Sequence, residues 1–435
     1  MTTASLKFDY PAALKVATSL VYALLLAWLY KNEVAAFWDY QGFRVAETPL
    51  ALTKISVATI LTALMLPNKR DTRTYLLICT NFLFFIPSIV FSFLAGADLR
   101  YVVTLAFVII FSVQISALNF RPILMRPIKI KQFLNFALGL SLVFLILYMV
   151  LGGVYRLNFN LSNVYQVRAD NLDSVPGFLG YFVSLLSAIL LPLAILYSIE
   201  LRRFGILALA LSVQLVFFGL TNFKNILFAP ILFISFYAFL RSPSRAGYLS
   251  LYFFILPLFA MLNVVLARFI LQTDQFLFFV NNFIRRMLFT PPMLDERHVI
   301  FFSDNPLYYW STSRISLGLV ESPYDLASPF IIGEEYFGST TWAANTGLIG
   351  SGFSHAGYLG VIIYSILFGL LLAFLNAYGK RIGHALVSAL ALLSVMNITR
   401  SSDFTTVLLT HGLVFLFLFL TFAPRKEDVH SEAKY

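Results

Sequence analysis

The sequence contains little charge and almost no cysteine. Charged residues make up 12% of the 435 residues, whereas an ordinary soluble domain has about 25%. Hydrophobic residues make up 59%, and a bilayer accommodates an apolar surface that a soluble fold cannot bury. The single Cys79 excludes an intramolecular disulfide and a cysteine-based metal site. The low charge and the high hydrophobic content predict an integral membrane protein.

The familiar motifs of soluble catalysis are also missing. The sequence contains no Walker-type glycine loop, Rossmann fingerprint, HExxH, DxD pair at glycosyltransferase spacing or GxSxG. We therefore expect no nucleotide site of the usual soluble folds, no cofactor and no metal site. The net charge of +10 is scattered over short loops, so it indicates membrane topology and not a nucleic-acid partner.

Long apolar runs predict an all-α polytopic protein with about twelve transmembrane helices in a single membrane domain, 1–435. The predicted spans are 11–30, 50–67, 75–95, 101–119, 132–152, 176–199, 204–220, 226–240, 247–272, 355–377, 384–398 and 405–423.

The distribution of cations predicts the orientation of these spans. Cations are frequent in the loops 68–74, 120–131, 200–203, 241–246 and 379–383, and in the tail 424–435. Because short cytoplasmic loops are enriched in lysine and arginine, we place these loops, the tail and both termini in the cytoplasm.

Two outer segments are too long to be simple connections. One is the periplasmic loop 153–175, and the other is the large periplasmic loop 273–354 before the tenth helix. Long loops of this kind usually have a function.

Several cations lie on the predicted outer side, where the topological bias acts against them. Arg268 stands out because it interrupts the apolar run NVVLARFILQ, and a charge there needs compensation. It either snorkels to the interface, pairs with an acid such as Asp274, or binds an anion, since arginine offers two parallel donors to phosphate oxygens. Our predicted diphosphate-binding set is Arg268, Lys224, Arg168, Arg156 and Arg314.

Candidate catalytic residues lie at the end of the large loop. His355 sits in the glycine-rich stretch ANTGLIGSGFSHAGYLG, where it would act as a general base or only satisfy a backbone carbonyl. Glu334 and Glu335 stand beside the aromatic residues Tyr336 and Trp342. They suit deprotonation of a sugar hydroxyl, although two adjacent acids in a solvated loop are often plain surface.

The layout and two motifs resemble bacterial O-antigen polymerases of the Wzy type, a family of oligosaccharide repeat-unit polymerases. The first motif is the turn TNFKN, and the second is the run FIIGEEYFGSTTWAANTGLIGSGFSHAGYLG. The resemblance implies a membrane glycosyltransferase of the GT-C type. It would transfer a growing glycan from undecaprenyl diphosphate to the next lipid-linked repeat unit at the periplasmic face. Membrane lipid and a chain-length-regulating co-polymerase are the other partners that it implies.

Two alternatives remain open. An O-antigen ligase uses the same donor but transfers the glycan to lipid A core, and the layout does not separate it from a polymerase. A flippase or transporter of lipid-linked oligosaccharide would instead favour central charges and internal repeat symmetry.

Overall fold

A computed structural model describes residues 11–46, 49–123, 125–154, 157–160, 182–183, 185–273 and 277–424. All regular structure in these ranges is helical. Arg156, Arg168, most of the predicted loop 153–175 and the tail after Pro424 lie outside the described residues.

The helices that the argument uses are numbered in chain order. They are α1 Ala12–Phe37, α2 Ala51–Met65, α3 Thr72–Leu94, α4 Leu99–Ile115, α5 Ile130–Leu151, α6 Leu186–Glu200, α7 Phe204–Thr221, α8 Lys224–Arg241, α9 Leu249–Ile270, α10 Thr290–Asp304, α11 Ser328–Phe337, α12 Leu348–Ile382, α13 His384–Arg400, α14 Phe404–Leu409 and α15 Leu413–Phe422.

Seven helices in the described residues are long and apolar enough to cross a membrane, namely α1, α3, α5, α7, α8, α9 and α12. The shorter apolar helices α2, α4, α6, α13 and α15 accompany them. The prediction of an all-α polytopic membrane protein is therefore confirmed. Each predicted span overlaps at least one of these helices, but twelve crossings stay a prediction. The last predicted span is divided into α14 and α15, with Gly412 in the left-handed region at φ +83°.

The chain forms two compact units. Unit 1 comprises 1–119, 242–373 and 395–405, and unit 2 comprises 120–241, 374–394 and 406–435.

Helix α3 forms the centre of unit 1. Its most apolar stretch is 94% buried, and its polar side chains find partners inside the unit, as when Asn81 Nδ2 donates to Ser19 Oγ at 3.2 Å. Asp71 caps the first turn by accepting from the backbone amide of Thr74 at 2.9 Å. Helices α1 and α2 pack on the later part of α3.

Much of the predicted large loop is helical and belongs to unit 1. A π-helix, Val280–Phe289, runs directly into α10. Pro291 and Pro292 stand just after this junction, and because they have no N–H they leave carbonyls of the preceding turn without a helical donor. Arg400 Nη1 donates to one of these, the Met287 carbonyl, at 3.1 Å. Helix α10 packs against α3, α4 and α11, so the acids Asp295 and Glu296 on it become buried.

In unit 2, α6 packs against α5, α7 and α8. Glu200 at its end accepts a hydrogen bond from the Tyr237 hydroxyl and pairs with Arg241 at 3.6 Å. This polar group joins the ends of α6 and α8.

Candidate functional site

Helix α12 is broken directly after His355. Ala356 has φ −150° and ψ 31°, and Gly357 has φ +58° and ψ −141°, a backbone conformation essentially restricted to glycine. The two halves approach so closely that a Cβ on Gly360 would lie 2.0 Å from the Gly352 carbonyl oxygen. These glycines therefore permit the break, which leaves His355 at the end of the first half.

His355 forms a buried pair with Asp403. Its Nε2 lies 3.0 Å from Asp403 Oδ2, and the two side chains are 8% and 19% exposed. The Tyr364 hydroxyl donates to the same carboxylate oxygen at 2.8 Å. Trp310 Nε1 in turn donates to the Tyr364 oxygen at 3.0 Å. Four side chains, from α12, the segment after α13 and the large loop, thus form one hydrogen-bonded network, and two of them contact the Asp403 carboxylate.

Asp403 is held as the ionised partner. Burial by itself raises its pKa, but the hydrogen bonds from His355, Thr405 and Tyr364 outweigh burial and lower the pKa below the ordinary aspartate value. The Thr405 amide donates to Oδ1 at 2.8 Å, and the Thr405 hydroxyl donates to the same oxygen. Asp403 is therefore also the cap of the short helix α14.

The pairing leaves one nitrogen of His355 available. A carboxylate accepts hydrogen bonds, so Nε2 carries the proton in the neutral ring and Nδ1 keeps a lone pair. Nδ1 is buried and has no hydrogen-bond partner among the described residues. A neutral histidine in this tautomer, oriented by a carboxylate, has the arrangement of a general base.

The Trp310 segment covers this histidine. The indole stacks on the imidazole with 5.3 Å between ring centroids and an interplanar angle of 16°. Tyr309 and Trp310 both adopt left-handed φ values, +45° and +59°. The Tyr308 and Tyr309 amides hold the segment by donating to the carbonyl oxygens of Ser354 and His355, each at 2.9 Å. Non-glycine residues rarely adopt such conformations, and those that do are concentrated at functional sites.

Arg268 is paired with a buried acid from α1. Its Nη2 lies 2.8 Å from Glu33 Oε2, and Glu33 is fully buried. Both residues lie on π-helical turns, Tyr30–Val34 and Leu266–Ile270, which are frequent at functional sites. Arg268 also stands over the Phe37 ring at 5.6 Å. Glu33 therefore compensates the charge that interrupts the apolar run, and the predicted alternative partner Asp274 lies outside the described residues.

Arg268 nevertheless remains accessible. It is 34% exposed and lines a cavity of about 390 Å³ together with Phe37, Gln272 and Thr273.

Lys224 lies in unit 2, at the start of α8. The TNFKN turn, which includes Lys224, has Asn222 in the left-handed region, with φ +54°. Asn158, from the described piece of the first outer loop, donates through its side chain to Asn222 Oδ1 and through its amide to the Gly219 carbonyl, each at 2.9 Å. The predicted outer loop and the TNFKN turn are thus neighbours.

The remaining predicted residues lie in unit 1. Arg314 is exposed and follows Ser313, whose hydroxyl is 3.0 Å from Thr405 Oγ1. Glu334 and Glu335 are exposed on α11, and their side chains make no hydrogen bond or ion pair within the described part of the chain. The roles predicted for these residues and for Lys224 stay predictions.

Sequence reasoning did not select Asp403, Tyr364 or Trp310. Only Asp403 could have been selected from the sequence. It follows a predicted span and stands two residues before Thr405, which is the spacing of a helix cap. Tyr364 and Trp310 carried no such signal, because an aromatic residue in a span or a long loop is ordinary.

No group of three or more histidine, cysteine, aspartate or glutamate side chains is placed to hold a metal ion in the ranges that the structure describes. Comparisons with protein-family models, with curated proteins and with solved structures gave no match. The helices define the class, an all-α polytopic membrane protein. The resemblance of the motifs to the Wzy-type polymerases stays a prediction.

Proposed function

We propose that this protein is a GT-C-type membrane glycosyltransferase that polymerises undecaprenyl-diphosphate-linked oligosaccharide repeat units at the outer face of a bacterial inner membrane. The observation that carries the proposal is the His355–Asp403 pair at the break in α12, in which one imidazole nitrogen has no hydrogen-bond partner among the residues that the structure describes. This is the base that transfer to a sugar hydroxyl requires.

The reaction uses the residues as follows. The hydroxyl oxygen of the acceptor unit's terminal sugar attacks the anomeric carbon of the growing glycan, and the bond from that carbon to the diphosphate breaks. The diphosphate leaves with the electron pair. His355 Nδ1 takes the hydroxyl proton, and Asp403 stabilises the resulting imidazolium at Nε2. Nδ1 is buried in this structure, so the side chains around it must move before a sugar reaches it.

Cations neutralise the departing diphosphate in this proposal. Arg268 presents its guanidinium to a cavity, and Arg314 follows a residue in contact with Thr405. Lys224, Arg156 and Arg168 complete the predicted set. Fixed positive charge where negative charge develops lowers the barrier without metal. Glu334 and Glu335 are the alternative bases.

Contacts in unit 1 support the proposed topology. Arg44, after α1, donates through Nε to the Ala95 carbonyl, after α3, at 2.9 Å. Glu296 on α10 accepts from the Asp98 amide, just before α4, at 2.9 Å. The Glu33–Arg268 pair connects the end of α1 to the end of α9. The ends of α1, α3 and α9 and the start of α4 therefore meet, as they must if these helices cross in the predicted directions. We propose twelve crossings with both termini in the cytoplasm.

The test is glycan analysis of a deletion strain by gel electrophoresis. Loss of a polymerase leaves a core carrying a single repeat unit. Free lipid-linked polymer would instead identify a ligase, and absence of any repeat unit on the outer face would identify a flippase. Elongation of purified lipid-linked repeat units by the purified protein, with chelator present, then tests the metal-free chemistry. An enzyme that chelator stops would contradict it.

A further inference from the structure

A second cationic cavity lies beside α1 in unit 1, and Arg268 does not line it. It has a volume of about 400 Å³ and is lined by Lys31, Arg44 and Arg297, by one acid, Asp39, and by parts of 35–45. This volume falls in the range of small-molecule pockets, about 300–1,000 Å³.

Arg297 is built into the wall of this cavity. Its guanidinium stands 4.7 Å from the ring centroids of both Tyr336 and Phe337. On the other side, a Cβ on Gly42, whose φ is +97°, would lie 1.8 Å from Arg297 Nη2. Burial lowers the pKa of Arg297, as expected for a cation without a full counter-charge. The rings and the glycine therefore fix the guanidinium in position.

The donors of Arg297 are largely unused. Its side chain makes one hydrogen bond within the described residues, from Nη2 to the Gln41 carbonyl at 3.0 Å. A guanidinium carries five N–H donors and accepts no hydrogen bond, so most of the N–H donors of Arg297 remain for a ligand.

Protein acids do not neutralise the cavity. Arg44 pairs with Glu296 at 3.3 Å, and Asp39 accepts from the Tyr40 amide at 2.7 Å. Lys31 is exposed and has no ion pair or hydrogen bond from its side chain within the described residues. Three cations face two acids, one of which is engaged with Arg44, so an anion would be favoured here.

We propose that the Lys31–Arg44–Arg297 cavity binds a phosphate-class anion. Arginine forks match phosphate oxygens in pairs, and a lysine adds a movable point charge. Resting on the proposed function, we assign the anion to a carrier diphosphate: polymerisation brings two lipid diphosphates together, and this cavity and the one beside Arg268 have no lining residue in common. One cavity would hold the donor's diphosphate and the other the acceptor's.

The test measures binding of inorganic pyrophosphate by calorimetry to the purified full-length protein in detergent. Lys31→Gln and Arg297→Gln are expected to weaken binding at least tenfold, and Gly42→Ala to do the same by displacing Arg297. Arg297→Lys, which keeps the charge and loses the fork, should be intermediate. The matched controls are Lys54→Gln and Arg126→Gln, which remove exposed cations elsewhere and should bind like the parent. Parental affinity in both Lys31→Gln and Arg297→Gln would overturn the proposal.

A second arm identifies the source of the anion. Undecaprenyl diphosphate in nanodiscs should displace pyrophosphate from the parent, which supports the carrier assignment. Pyrophosphate binding that undecaprenyl diphosphate does not affect would overturn that assignment in favour of a soluble anion. Neither arm requires turnover. A protein that binds pyrophosphate through these residues but makes no polymer would therefore contradict the proposed polymerase function and leave the anion site standing.

Discussion

Asp295 caps the first half of α12 from inside the protein. Its Oδ1 accepts a hydrogen bond from the Gly350 amide at 3.0 Å, and the side chain is fully buried on α10. Gly350 lies in the first turn of the half-helix that ends at His355. The carboxyl group thus satisfies a donor that the helix start leaves unpaired.

This cap should make stability depend on pH. Burial raises the pKa of Asp295 well above the ordinary value, with the Gly350 amide opposing it. The folded protein therefore binds this proton more tightly than the unfolded chain. The free energy of unfolding should fall as the pH rises from about 3.9, the ordinary aspartate value, towards the raised folded value. Asp295→Asn should flatten this slope in SDS unfolding measured across pH.

Two further variants check the assignment to Asp295. Asp295→Ala should cost about 1 kcal/mol through the lost cap. Gly139→Ala, which removes no titratable group and adds a Cβ with nothing within 4 Å of it, should retain the parental slope. A slope that persists in Asp295→Asn would mean that another group titrates.

Loss of the His355–Asp403 pair should stop elongation. His355→Ala should lower the rate about 10²–10⁴-fold, the usual contribution of a general base. Asp403→Asn should be almost as damaging, because an amide donating to Nε2 would move the ring proton to Nδ1 and leave no acceptor there. Tyr364→Phe, which removes only one hydrogen bond from the carboxylate, should cost a few-fold. Normal polymer from His355→Ala would reduce His355 to a packing role and favour Glu334 or Glu335.

Arg268 and Glu33 should behave differently in stability and in activity. Arg268→Gln removes the ion pair of the buried Glu33 and should cost about 2 kcal/mol, below the value for a fully buried pair because Arg268 is partly exposed. Adding Glu33→Gln should restore most of that stability. The elongation rate of the double variant and of Arg268→Lys should remain about 100-fold below the parental rate, because removing a transition-state contact costs on the order of 3 kcal/mol. If the double variant regains the parental rate, Arg268 serves only to neutralise Glu33.

The close approach of Gly352 and Gly360 should not tolerate a side chain. Gly360→Ala places a methyl group against the Gly352 carbonyl oxygen, which should cost about 1–3 kcal/mol and displace His355. Gly139→Ala is the matched control, since nothing lies within 4 Å of its added Cβ, and it should be neutral or slightly stabilising. Both variants are compared by SDS unfolding and by elongation. Equal behaviour would show that the break in α12 does not depend on this contact.

Reporter fusions test the orientation. Fusions after residues 70, 125 and 243 should report a cytoplasmic location because their loops are rich in cations. Fusions near 165 and 310 should report the periplasm. A cytoplasmic signal at 310 would place the His355 network on the wrong face for a lipid-linked acceptor and would end the polymerase proposal.

The helices were predictable because a membrane leaves a chain little choice. Backbone groups in hydrocarbon must be satisfied within the segment, so a long apolar run becomes a helix whatever its neighbours. The large loop was less predictable: α10 and α11 are short, and their polar residues resemble those of a solvated loop. Burial of Asp295 and Glu296 against α3 and α4 is a tertiary result with no local signature.

The candidate site was predictable only in part. His355 was identifiable from the glycines around it, which permit the break that exposes the end of a half-helix. Its partner Asp403 lies 48 positions away, and no periodicity links the two. Sequence reasoning proposed Asp274 as a partner for Arg268, since it is close in sequence, whereas the structure pairs Arg268 with Glu33, 235 positions away.

The sequence by itself determined that this chain enters a membrane as a set of helices, because that outcome depends on composition and on the length of each apolar run. It also determined which residues are expensive to bury, since charge in a span needs compensation wherever it lies. Only the tertiary structure decided how that compensation is made: Glu33 for Arg268, Asp403 for His355, and the rings of Tyr336 and Phe337 for Arg297. The physical reason is that such pairings depend on which helix ends meet, and helices of similar apolar composition carry little local information about their neighbours.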